Sequence, residues 1–166
     1  MAAPQLLANN LGYECINLGV PGFSNLAILD CILNFDFKTD DIVCVLWSFK
    51  NRSMTYGIKE NINHGRWDQE WLKKQNKYDL IVKNYLYMNH GYLYLKDLNI
   101  KSFHMDVDYH FDDVFDDLVP KWTKNTKLVN IDFSKIETKP PLGLDNLHPG
   151  INFHKTVAEK LKGELI

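Results

Sequence analysis

The sequence of 166 residues is poor in three features, and each deficit excludes a class of protein. It contains only three cysteines, Cys15, Cys31 and Cys44, and an odd number without close pairs does not suit a disulfide framework. No apolar run approaches the roughly 18 residues that cross a bilayer. The first residues also lack the basic region and apolar stretch of a secretory signal. We therefore expect a chain with free thiols, no membrane span and a cytoplasmic location.

An excess of charge of either sign is also absent. The chain has 19 basic and 21 acidic side chains, which give a formal net charge of -2. Such a surface has no electrostatic footprint for nucleic acid or for an anionic membrane. Hydrophobic residues make up 45% and charged residues 24%, a balance typical of a globular protein. We predict a single domain over residues 1–166, with neither nucleic acid nor membrane as a partner.

Apolar patterns along the chain predict strands that alternate with helices. Strands are predicted near residues 14–19, 42–47, 99–104 and 127–132, and helices over about 4–11, 25–38, 68–92 and 152–165. The run at 42–47 is continuously apolar, as a strand buried on both faces requires. Residues 51–66 have no clear period and are predicted to form a long loop. The alternation predicts an α/β fold, a three-layer sandwich with a doubly wound parallel sheet.

In a parallel α/β sheet, sites form where the strands end at their carboxyl edge. The segment from Asn17 to Asn25 follows the first predicted strand, and in it Gly22 comes directly after a proline. A glycine at such a turn leaves its backbone N–H open to a ligand, and that N–H can donate to a developing oxyanion. A tight turn without a ligand also uses glycine. Ser24 is expected to cap the next helix and is a weaker candidate for contact with a substrate.

A second polar segment precedes the last predicted helix. Asp145 lies three residues before His148, a spacing at which the carboxylate can bind Nδ1 of the imidazole and leave Nε2 as a general base. His148 precedes Pro149, so its backbone is expected to be extended. The alternative is a structural turn in which Asp145 binds loop amides.

Together these two segments resemble the SGNH hydrolase family, also called GDSL-type esterases. In that family an Asn-x-Gly-x-x-Gly-like block ends in a glycine that supplies an oxyanion-hole amide, and Gly22 occupies its position. An Asp-x-x-His-Pro block holds the Asp and His of the catalytic triad, and Asp145 and His148 occupy theirs. The resemblance implies a hydrolase that acts on a small-molecule or glycan ester. It implies no metal or organic cofactor.

The sequence departs from the family in two blocks. The Gly-Asp-Ser block with the nucleophile is absent, so we expect the first strand and its serine upstream of Met1, and residues 1–166 alone to be inactive. The third block, Gly-x-Asn-Asp in the family, is replaced by a Trp-Ser-x-x-x-Arg form that looks like divergent phage and viral members. Asn51 is therefore a candidate oxyanion donor, and Ser48 and Arg52 are candidates for substrate binding. A virion-associated location is the alternative to the cytoplasm.

Two other functions are alternatives to the hydrolase. The first alternative is a binding or structural module that retains the fold without the chemistry. A flavodoxin-like nucleotide binder is weaker, because the turn at Gly22 is a poor cradle for phosphate. The aspartate-rich stretch 106–117, with His104 nearby, matches no metal-binding spacing and is interpreted as a solvated loop. His64 and His90 have no partner at a telling spacing, so no catalytic role is predicted for them.

Overall fold

A computed structural model describes residues 3–49, 52–56, 62–65, 68–106 and 151–165. Within these ranges the chain is mixed α/β, with five helices and four strands. The helices are α1 (Ala3–Leu11), α2 (Asn25–Asn34), α3 (Gln69–Lys73), α4 (Lys77–Asp97) and α5 (Ile151–Leu165), and the strands are β1 (Ile42–Trp47), β2 (Ser53–Thr55), β3 (Ile62–His64) and β4 (Lys101–Asp106). No helix in the described part of the chain is long and apolar enough to cross a membrane.

Strands β1 and β4 form a parallel pair. Their register runs from Ile42 opposite Lys101 to Trp47 opposite Asp106. Parallel neighbours need a crossover connection, and α4 lies in the connection between these two strands. It packs against both β4 and α2. The strands predicted near 42–47 and 99–104 are thus confirmed. The strand predicted near 127–132 lies outside the described residues, and the three-layer sandwich stays a prediction.

The chain divides into two compact units, Met1–Leu18 with Asn130–Ile166, and Gly19–Val129. In the first unit α1 packs against α5. Three side chains of α5 are buried there, Val157, Ala158 and Leu161. Val157 and Leu161 belong to the apolar four-residue step, from Phe153 to Leu165, by which the sequence predicts this helix. The second unit contains the parallel strands and the hairpin formed by β2 and β3. The prediction of one domain stays a prediction.

Residues 14–19 do not form the predicted strand. The apolar side chains of this segment point largely into solvent, and Ile16 is 64% exposed. An apolar run becomes a strand only where neighbouring structure covers it, so tertiary context overrides the local preference here. The prediction for β1 was wrong in one respect, because Leu46 is 49% exposed and the strand is not buried on both faces.

The predicted long loop at 51–66 contains the antiparallel hairpin of β2 and β3. Ser53 lies opposite His64, and Thr55 lies opposite Ile62. Each strand has only three residues, too few for an alternating pattern to be recognised in the sequence. The hairpin is followed by α3 and α4, which confirm the helical prediction that begins at Asp68.

The core of the second unit is centred on Trp47, which is fully buried. Its indole Nε1 donates to Nδ1 of His104 at 3.1 Å, and His104 is also fully buried. Because Nδ1 accepts, the proton of the neutral ring lies on Nε2, which is 3.1 Å from the hydroxyl of Ser102. His104 is therefore a paired core residue. Among the described residues no group of three or more His, Cys, Asp or Glu side chains could hold a metal ion.

Gly91 allows helix α4 to approach Trp47 closely. A Cβ at this position would lie 2.9 Å from Cη2 of Trp47 and 3.3 Å from Cδ1 of Ile32.

We predict that Gly91→Ala lowers the free energy of unfolding, because overpacking costs about 1–3 kcal/mol and exceeds the about 0.5–1 kcal/mol that alanine contributes to a helix. Urea unfolding followed by circular dichroism measures the change. Gly163→Ala is the control: nothing lies within 4 Å of its added Cβ, so stability should rise. Equal effects of the two substitutions would contradict this account of the core.

Burial lowers the pKa of His104 from 6.5 to about 4. Between about pH 6.5 and pH 4, His104 is therefore protonated in the unfolded chain but neutral in the folded chain. This stabilisation is complete above pH 6.5 and is lost as the pH falls toward 4, by about 3 kcal/mol in total. Urea unfolding of wild type and His104→Asn across this range should show a steeper pH dependence in the wild type. Asparagine retains an acceptor for Trp47 but does not titrate, so parallel curves would contradict the prediction.

Candidate functional site

The carboxyl ends of β1 and β4 lie at the same edge of the parallel pair, where sites form in α/β folds. Ser48 follows the last residue of β1, and Asp106 is the last residue of β4. Both are buried, with 7% and 8% of their surface exposed. This edge therefore holds two polar side chains that are shielded from bulk water.

Gly22 lies in a tight turn that leads into α2. The N–H of Phe23 donates to the carbonyl of Val20 at 3.3 Å, and Gly22 has a φ of +85°. Proline followed by glycine with positive φ is the arrangement of a type II turn. The positive φ of this turn therefore explains the glycine without any ligand. The closing hydrogen bond uses the N–H of Phe23 and not that of Gly22, the predicted oxyanion donor.

Ser24 is the N-cap of α2, as the sequence predicts. Its hydroxyl accepts from the N–H of Ala27 at 3.3 Å, and its carbonyl accepts from the N–H of Ile28 at 3.0 Å. The residue has no exposed surface. Its position in the structure is that of a buried cap, and contact with a substrate stays a prediction.

The side chain of Asn25 joins the start of α2 to the end of β1. Its Oδ1 accepts from the N–H of Ser48 at 2.6 Å, and its Nδ2 donates to the carbonyl of Ser48 at 3.1 Å. The amide thus pairs with a peptide group much as a neighbouring strand would. All of these atoms are buried. Because Asn25 lies three residues after Gly22, this pairing attaches the segment that follows the Gly22 turn to the end of β1.

The sequence interpretation did not single out Asn25. The available signal was a second polar residue, directly after the Ser24 cap, at the start of an otherwise apolar helix. Buried amides are nearly always hydrogen-bonded, so such a residue indicates a specific partner. Its partner is 23 residues away in sequence and could not be named from the pattern.

Ser48 and Arg52, both predicted substrate contacts, lie together. Arg52 Nη1 donates to the hydroxyl oxygen of Ser48 at 2.8 Å, and its guanidinium carbon lies 4.9 Å from the ring centre of Phe49. A side-chain amide of α4, that of Asn84, donates to the carbonyl of Arg52 at 3.4 Å. These contacts place a positive charge beside the carboxyl end of β1.

His64 does have a partner, contrary to the sequence interpretation. Its Nδ1 lies 2.7 Å from Oδ2 of Asp68, and its Nε2 lies 3.1 Å from Oγ1 of Thr55. The four-residue step from His64 to Asp68 was the signal in the sequence. The sequence analysis predicted a loop here and assigned no partner to His64. A four-residue spacing brings the two side chains together only because the chain turns between the end of β3 and the start of α3.

The remaining predicted site residues, Asp145, His148 and Asn51, lie outside the described residues. The hydrogen bond expected between Asp145 and Nδ1 of His148, at roughly 2.6–3.2 Å, stays a prediction. Comparison with models of known protein families, with curated proteins and with solved structures gives no match.

Removal of the Asn25 amide should destabilise the fold. In Asn25→Ala the buried N–H and carbonyl of Ser48 lose their partner, and each unsatisfied group costs about 1–3 kcal/mol. We predict that the free energy of unfolding falls by about 2–6 kcal/mol, measured by urea denaturation. Asn34→Ala is the matched control on the same helix. Asn34 is exposed and binds only within α2, so its loss should change stability by less than about 0.5 kcal/mol.

Proposed function

We propose that this protein is an ester hydrolase of the SGNH type. The observation that supports the proposal best is the pairing of Asn25 with Ser48. It anchors the helix that follows the Gly22 turn to the carboxyl end of β1, the edge at which α/β folds bind their ligands. The resemblance to the family implies these roles: Gly22 N–H as the oxyanion donor, His148 as the general base and Asp145 as the residue that orients it.

The proposed reaction begins when a serine hydroxyl attacks the ester carbonyl. His148 takes the hydroxyl proton at Nε2 and donates it to the leaving alcohol, which leaves an acyl-serine. Water then attacks the acyl carbon as His148 takes its proton, the bond to the serine oxygen breaks, and His148 returns the proton to the serine. The carboxylate of Asp145 holds the imidazole in the required tautomer throughout. Negative charge develops on the carbonyl oxygen as the tetrahedral intermediate forms. Gly22 N–H would stabilise that charge, and the guanidinium of Arg52 beside Ser48 adds a positive field at the same strand end.

A binding module with the same fold is the second candidate function. Its support is the hydrogen bonding of Ser24 and Ser48, two serines that the sequence predicts as substrate contacts. Ser24 caps α2, and the oxygen of Ser48 accepts from Arg52. In these contacts both hydroxyl oxygens act as acceptors, which fits structural or binding groups.

Hydrolysis of p-nitrophenyl acetate by the complete gene product tests the choice between these functions. The hydrolase proposal predicts turnover that falls by about 10²–10⁴-fold in His148→Ala and in Asp145→Asn. His90→Gln is the control, because His90 is exposed on α4 and should not affect the rate. Turnover that is unchanged in His148→Ala would refute the assignment of the base. Saturable binding of an acetylated sugar without turnover would favour the binding module.

A further inference from the structure

A hydroxyl, an imidazole and a carboxylate form a hydrogen-bonded chain where the β2–β3 hairpin meets α3. Thr55 Oγ1 lies 3.1 Å from His64 Nε2, and His64 Nδ1 lies 2.7 Å from Asp68 Oδ2. In the antiparallel register His64 is opposite Ser53, so Thr55 and His64 are diagonal neighbours on one face of the hairpin. This Thr55–His64–Asp68 cluster shares no residue with the carboxyl ends of β1 and β4.

The order of the groups assigns the protons. A carboxylate can only accept, so Nδ1–H of His64 donates to Asp68, and in the neutral ring Nε2 then accepts from the hydroxyl of Thr55. The hydrogen bond from His64, together with that from the N–H of Trp71, lowers the pKa of Asp68 and keeps it ionised. His64 is thus positioned to remove a proton from Thr55.

Trp71 holds the imidazole in this orientation. The two rings are stacked with centroids 4.7 Å apart and planes 7° apart. The backbone N–H of Trp71 also donates to Oδ1 of Asp68 at 3.0 Å, because Asp68 is the N-cap of α3. The side chain of His64 is only 13% exposed, whereas Thr55 is exposed. The base is therefore shielded while the hydroxyl is accessible to a reagent.

We propose that Thr55 is a nucleophile toward activated carboxylic esters, with His64 as its general base and Asp68 as a positioning residue. Thr55 Oγ1 forms a bond to the acyl carbon as its proton moves to His64 Nε2. The bond from the acyl carbon to the leaving oxygen then breaks, and His64 returns the proton to that oxygen. The products are acyl-Thr55 and an alcohol or phenol. The proposal does not depend on the SGNH site, because His148 and Asp145 take no part in it.

The experiment treats the 166-residue protein with p-nitrophenyl acetate and measures released nitrophenol together with acetyl groups located by peptide mass spectrometry. In contrast to the sequence-based expectation that residues 1–166 alone are inactive, we expect a single burst approaching one equivalent, without continued turnover and with the acetyl group on Thr55. Thr55→Val should abolish the burst, and Thr55→Ser should retain it. Thr156→Val is the matched control, because that hydroxyl binds only a helix carbonyl. No acetyl group on Thr55, or an equal burst in Thr55→Val, would overturn the proposal.

The roles of the other two residues have their own tests. His64→Gln should slow acetylation of Thr55 by about 10²–10⁴-fold, while His90→Gln should not. Asp68→Asn keeps an oxygen for the N–H of Trp71 but loses the charge, so acetylation should slow by up to about 10⁴-fold at unchanged melting temperature. Nitrogen-15 spectra of His64 should show loss of the Nδ1–H tautomer in this variant.

If His64→Gln and Asp68→Asn lower the melting temperature but leave acetylation of Thr55 unchanged, the cluster only holds the hairpin and the proposal is refuted. Because mass spectrometry locates the adduct, failure of this proposal is distinguishable from failure of the His148 mechanism.

Discussion

The hydrogen bonds between the Asn25 amide and the backbone of Ser48 are the constraint on which the carboxyl edge of β1 depends. A buried peptide group that follows the end of a strand must find a partner for both its N–H and its carbonyl. Asn25 supplies both partners at 2.6 and 3.1 Å. The helix that contributes Asn25 begins at its Ser24 cap, directly after the turn at Gly22. One side chain therefore links turn, helix and strand end.

A second buried polar contact supports the sheet beneath this edge. The indole of Trp47 on β1 donates to the imidazole of His104 on β4, and both side chains are excluded from solvent. In the parallel register His104 is opposite Val45, so the contact is diagonal across the two strands. The imidazole must stay neutral to accept this bond, and its burial lowers its pKa accordingly. The core is thus specified by a directional hydrogen bond as well as by apolar packing.

Two imidazoles of the second unit, those of His104 and His64, have opposite chemical roles. His104 is enclosed, and its ring nitrogens pair with an indole and a serine hydroxyl, so it can stabilise but cannot reach a substrate. His64 is paired with a carboxylate on one side and with an exposed threonine hydroxyl on the other. The environment of each ring, and not the residue type, separates a structural histidine from a proposed base. The contacts of a hydroxyl are informative in the same way. The oxygens of Ser24 and Ser48 accept hydrogen bonds from a backbone N–H and a guanidinium, whereas the hydroxyl of Thr55 lies beside an imidazole nitrogen.

The sequence by itself determined the elements whose signals are local. The Ser24 cap, the apolar run of β1, and the four-residue step of α5 each depend on neighbours within one or two turns, so their patterns can be recognised without a fold. Tertiary structure decided the rest. It left residues 14–19 without the strand that their apolar character predicts, and it formed a hairpin within 51–66. It also paired Asn25 with Ser48 and placed Thr55 beside His64. These outcomes depend on which groups meet across distant parts of the chain, where burial and hydrogen bonding outweigh local preference.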